Sequence, residues 1–160
     1  MAFGLLLPLR IAQGIFAVVV LGLSASVAHW YDADTLTSSP PQINFLIFVP
    51  LFSFLSIVYL EFTPRFLGTA SHPYAHFALE LLNTIFYFAG FIALAAFLSK
   101  LLFCRGSVCA AARADAVVAA FGWLLWAAST TILALHMLRK GGADSEDKVA
   151  MNEAPPRGMI

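Results

Sequence analysis

The sequence predicts an all-α protein, a bundle of four transmembrane helices. Three observations carry this. Four stretches, Ile11–Trp30, Ile43–Leu60, Tyr74–Leu98 and Ala116–Leu138, are free or nearly free of charge. A hydrocarbon core of roughly 30 Å needs about 20 such residues as a helix. Of the 160 residues, 61% are hydrophobic and 11% charged, against about 25% charged in soluble domains. The runs are also too long for the ~10-residue alternation of barrel strands. In lipid, a helix or a closed barrel is required to satisfy the backbone.

The elements follow in order. Met1–Arg10, Ile11–Leu23 and Ser26-Val27-Ala28 also fit the three regions of a secretory signal; an uncleaved anchor is the expectation. Thr37-Ser38-Ser39-Pro40-Pro41 is a turn-rich connector before the second span. Thr63-Pro64-Arg65 breaks the chain after that span, and Pro73 suits the first turn of the third. Trp30, Tyr31, Tyr59 and Tyr74 fall near span ends, where interfacial aromatics belong. Residues 1–140 therefore form one four-helix domain. Residues 141–160 read as a polar tail that cannot bury a core.

Four spans put both ends on one side. With the termini cytosolic, Arg10, Arg65, Arg139, Lys140, Lys148 and Arg157 lie inside, and Lys100, Arg105 and Arg113 outside. Basic residues favour the cytosolic flanks, so termini inside is expected. The loop from Tyr31 to Gln42 agrees, because it carries Asp32 and Asp34 and no Lys or Arg. Cys104 and Cys109, the two cysteines of the chain, then lie in an oxidising exterior loop. Their spacing across Gly106 allows a Cys104–Cys109 disulfide. In the inverted topology they would be free thiols or lipidation sites.

Glu80 is the acidic residue this reading places inside a span, about 9 Å from the start of its helix at 1.5 Å per residue. Asn83, Thr84 and Tyr87 follow at i+3, i+4 and i+7 and share its face. Intramembrane ionisable groups turn to the bundle interior. Arg10 with Gln13, Tyr59, and His136 with Arg139 are the partners that topology offers Glu80. The preferred reading is an interhelical polar lock; a proton or ion relay needs further such residues across the membrane. His72, His76 and Glu80 are spaced by four, as metal ligands on a helix can be. Pro73 places His72 before the helix, so no metal site is expected.

Small residues repeating along one helix face mark close-packing surfaces. These are Gly14 and Gly22; Ala89, Ala93 and Ala96; and Ala112, Ala116, Ala120, Ala119 and Ala127. Packing inside the bundle is preferred over an oligomer interface. Phe45, Phe48 and Phe52 make a stripe facing lipid or a partner subunit. Trp123 and Trp126 sit deep in the fourth span, suited to core packing or to a ring-shaped lipid such as a sterol.

Net charge is zero, with nine basic and nine acidic residues, so no basic face for nucleic acid stands out. No phosphate loop or nucleophile–base set is recognisable. A non-enzymatic protein without a cofactor is expected. The function classes left are a membrane organiser associating with lipids, other membrane proteins or itself; an accessory subunit of a larger transporter, ATPase or synthase; and a small transporter using Glu80.

Several motifs together resemble a known family. Leu79-Glu80-Leu81-Leu82-Asn83 with Phe86-Tyr87-Phe88-Ala89-Gly90 looks like the third span of fungal MARVEL-domain proteins. Leu9-Arg10, Gln13-Gly14-Ile15-Phe16-Ala17 and Leu21-Gly22-Leu23 are similar to their first span. Cys104, Cys109-Ala110-Ala111-Ala112-Arg113-Ala114, Ala120-Phe121 and Trp126 match their paired-cysteine loop and fourth span. The resemblance spans residues 8 to 138, and the nearest branch looks like the non-classical export family. It implies four helices, cytosolic termini and a role in membrane microdomains and vesicle traffic. It also implies proximity to sterols, sphingolipids or phospholipids and, in the fungal branch, to furrow-like plasma-membrane domains (eisosomes).

Overall fold

The computed structural model describes residues 2–34, 38–66, 73–100 and 106–153, and the side chains of 7–34, 38–63, 74–100 and 106–142. Four helices make up these residues: α1 (Ala2–Asp34), α2 (Pro41–Phe66), α3 (Pro73–Lys100) and α4 (Ser107–Glu153). Each holds a segment long and apolar enough to cross a membrane. Pro41 and Pro73 open their helices, where the missing N–H has no helical partner to lose. Gly106 precedes α4 with φ +98°, a conformation that costs L side chains energy. Its carbonyl accepts the Ala110 N–H at 3.2 Å and starts the helix.

Each helix packs on its sequence neighbours, and α1 closes the ring against α4. Gln13 meets Ser129 while Ser24 meets Asp115, so α1 and α4 run antiparallel. Glu80 with Ser129 and Tyr87 with Gly122 show the same for α3–α4, and Ser53 with Asn83 and Leu46 with Gly90 for α2–α3. This up-down-up-down bundle follows from short connections.

Burial is periodic on α1, α3 and α4. The inward positions are Arg10, Gln13, Ala17, Val20, Ser24 and Val27 on α1; Glu80, Asn83, Tyr87, Gly90 and Leu94 on α3; and Ala112, Asp115, Ala119, Gly122, Trp126 and Ser129 on α4. Alternate steps of three and four make the seam of a left-handed bundle. Between the seams, Ile11, Ile15, Val18, Leu55, Ile85 and Leu124 are exposed. The exterior is thus as apolar as the interior, as lipid requires.

The seam corrects several expectations. Gly14 is half-buried and Gly22 exposed, with open space where a Cβ would stand. Ala89 and Ala96 face outward and Ala93 is half-buried. Gly90, one residue beyond Ala89, takes the close approach instead: a Cβ there would lie 3.1 Å from Leu46. Ala116 and Ala120 flank the α4 seam, half-buried, whereas Ala112 and Ala119 occupy it. Trp126 is fully buried beneath Arg10 and cannot pack on a bilayer lipid. Trp123 is half-buried against Phe88 and Phe91. Phe45, Phe48 and Phe52 gather on Phe86 across α2 and α3.

The boundaries of α4 also differ from the composition boundaries. It begins at Ser107 and stays helical to Glu153, past the polarity change near residue 140. Gly141-Gly142 weakens the helix there, but no proline follows until Pro155.

Candidate functional site

The polar seam positions form three clusters at different depths. The first lies towards the termini. Arg10 Nη2 donates to Glu80 Oε1 in a buried ion pair, and Arg10 Nη1 donates to Gln13 Oε1 at 2.9 Å. Gln13 Nε2 donates to Ser129 Oγ at 3.0 Å and reaches the Leu125 carbonyl at 3.4 Å. Ser129 Oγ donates in turn to Glu80 Oε2. Both carboxylate oxygens therefore have donors. The Arg10 guanidinium also lies 5.5 Å from the centroid of the Trp126 ring, within cation–π range.

This cluster joins α1, α3 and α4. Its central pair spans the bundle diagonal, since α1 and α3 do not pack backbone to backbone. In lipid no water competes for these groups, so truncating one partner leaves the other charge uncompensated. The remaining partners offered to Glu80 stand elsewhere. Tyr59 lies by His76, with ring centroids 5.9 Å apart, and His136 and Arg139 are exposed.

The second cluster ties α2 to α3. Asn83 Nδ2 donates to Ser56 Oγ at 2.9 Å and to the Leu79 carbonyl at 2.8 Å. Ser53 Oγ donates to Asn83 Oδ1 at 2.7 Å. Thr84 stands beside this seam, half-buried, 2.9 Å from Thr130 Oγ1 of α4. The polar face read from the sequence thus serves three neighbours: Glu80 holds α1 and α4, Asn83 holds α2, and Thr84 holds α4. Tyr87 is fully buried against Gly122, and its hydroxyl lacks a partner among the described residues.

The third cluster is a correction. Glu80 is not the sole acidic residue within a span: Asp115 is fully buried in α4 and accepts from Ser24 Oγ at 2.5 Å. The sequence boundary at Ala116 left Asp115 one residue outside. Its heptad spacing from Ala112, Ala119 and Gly122 was the available signal.

Cys109 is buried in the first turn of α4. Cys104 and His72 lie outside the described residues, and with them the disulfide and the His72, His76, Glu80 triad. Among the described residues, no three His, Cys, Asp or Glu side chains gather as metal ligands.

One comparison with known proteins gives a match. The family model for MARVEL, described as a membrane-associating domain, covers residues 3–132. No curated protein and no solved structure matches the chain.

Proposed function

We propose a function for this chain, which belongs to the MARVEL family of membrane-associating domains: it is a non-enzymatic organiser of the plasma membrane. It associates with membrane lipids and neighbouring proteins through its outer faces, with both termini cytosolic. The observation that carries this reading is the division of labour between inside and outside. The Arg10–Glu80 and Asn83 clusters are spent on holding helices to one another. The outer faces present large apolar side chains on every helix, among them Val18, Leu55, Ile92 and Leu124.

One outer feature suits a lipid tail. A shallow groove of about 520 Å³ between α2 and α3 is lined by Phe52, Leu55, Tyr59, Ala75, Ala78 and Leu79. Its apolar walls and the exposed Tyr74 near one end fit an acyl chain or sterol whose polar head stays at the interface. The fungal origin, the export-family branch and the eisosome association implied by the sequence motifs belong to the same proposal.

Native mass spectrometry from lipid nanodiscs tests it. An organiser is recovered alone or as small self-assemblies, with lipid adducts that fall when Ala78→Trp fills the groove. Recovery solely in fixed stoichiometry with a large transporter or synthase would replace this reading with that of an accessory subunit.

A further inference from the structure

His136 and Arg139 are exposed, while Glu80 takes its donors from Arg10 and Ser129. The role left to them is set by the outer face of α4. Phe121, Leu124, Ala128, Leu135 and Leu138 are exposed along that helix and continue a stripe that starts at Val117. From Val117 to Leu138 the helix rises about 32 Å at 1.5 Å per residue. That matches a hydrocarbon core of roughly 30 Å, so the turn at Leu138 stands at headgroup level. His136, Arg139 and Lys140 occupy this turn at i, i+3 and i+4, share one side of the helix and are all exposed.

The two ends of the bundle differ in charge. At the far end the exposed charges are mixed, with Lys100 and Arg113 accompanied by Asp32 and Asp34. At the end that holds Arg10 and Glu80, every exposed charged side chain among the described residues is basic, and Glu61 of α2 is half-buried. Acidic residues resume in the sequence at Asp144, a turn beyond Lys140. Positive charge is therefore concentrated where an apolar stripe meets the headgroup layer.

We propose that this turn of α4 is a docking site for an anionic phospholipid of the phosphatidylserine class. Arg139 offers the phosphate a planar fork of donors, and Lys140 adds a compact positive charge beside it. His136 contributes a ring N–H to the same headgroup. The acyl chains lie along Leu135 and Leu138 and down the stripe towards Leu124. Phosphatidylcholine fits less well, because its headgroup brings a cation of its own. A free phosphate would meet the same cations but has nothing to lay on the stripe. The site deepens the organiser reading and rests on it for placement in a bilayer. The groove between α2 and α3 recognises a tail by its shape, whereas this turn recognises a head by its charge.

Native mass spectrometry of the full chain, released from nanodiscs of equimolar phosphatidylcholine and phosphatidylserine, tests this. Phosphatidylserine should dominate the retained adducts. Arg139→Gln with Lys140→Gln should lower that preference by up to about 25-fold, at about fivefold per basic side chain. Lys100→Gln with Arg113→Gln, at the far end, should leave it unchanged. Raised salt should weaken it. Excess inorganic phosphate should leave the phosphatidylserine bound; its displacement would mark a free-anion site and overturn the lipid assignment. Equal retention of the two lipids by the unmodified protein, or a preference that survives Arg139→Gln with Lys140→Gln, overturns the inference. The assay reads lipid choice and not assembly with a larger complex, so its failure is distinct from failure of the organiser reading.

Discussion

Replacing Glu80 with Gln removes a charge while keeping the shape of the side chain. Glu80 is 1% exposed and Arg10 9%. The change therefore leaves a guanidinium inside the bundle with Gln13 Oε1 and a neutral amide oxygen for company. Breaking a buried pair by removing one partner costs about 3–5 kcal/mol. An ordinary interhelical hydrogen bond in a membrane protein averages about 0.6 kcal/mol. At about 1.4 kcal/mol per decade, the first figure is at least a hundredfold change in the folded-to-unfolded ratio, and the second is under threefold. Reversible unfolding in bicelles reads the difference. Arg10→Met should repair much of the Glu80→Gln defect, because the stranded charge is gone. A loss below about 1 kcal/mol for Glu80→Gln, or a double variant weaker than that single variant, would refute an ionic lock. The Arg10–Glu80 contact would then be one hydrogen bond among several.

Four other predictions test different parts of the architecture. Gly122→Ala should destabilise by about 1–2 kcal/mol in the same assay, since its Cβ would stand 3.0 Å from the enclosed Tyr87 ring. Gly22→Ala, opening on empty space, should stabilise by about 0.5–1 kcal/mol. Leu55→Arg, at a position 71% exposed on α2, should raise the apparent insertion free energy by about 2.5–3.5 kcal/mol in a translocon assay if that face meets lipid. An impermeant thiol reagent should label Cys104 and Cys109 in intact cells after reduction alone; labelling confined to permeabilised cells would reverse the topology and remove the disulfide.

The number and order of helices were legible because apolar length alone decides what crosses a bilayer. Which face of each helix turns inward was much harder to read. In a water-soluble bundle, hydrophobicity marks the core; here Ile11 and Ile15 are outside while Arg10 and Gln13 are inside. The useful signal was polarity, and it served for Glu80 and Asn83. It failed for Gly22 and Ala89, where small size suggested an interior place that the seam assigns to Ala17, Val20, Tyr87 and Gly90 instead. Asp115 was lost to a boundary drawn by composition. A carboxyl group looks like the end of a span until the helix is seen to begin two turns earlier, at Ser107.

The 47 residues of α4 form one uninterrupted helix. At 1.5 Å per residue it is about 70 Å long, more than twice the hydrocarbon thickness. A rod of that kind carries rotation as well as position. Any repacking that turns α4 about its axis among its neighbours swings its far, polar stretch by the same angle. The glycine pair at Gly141-Gly142 is a soft joint where that torque is lost.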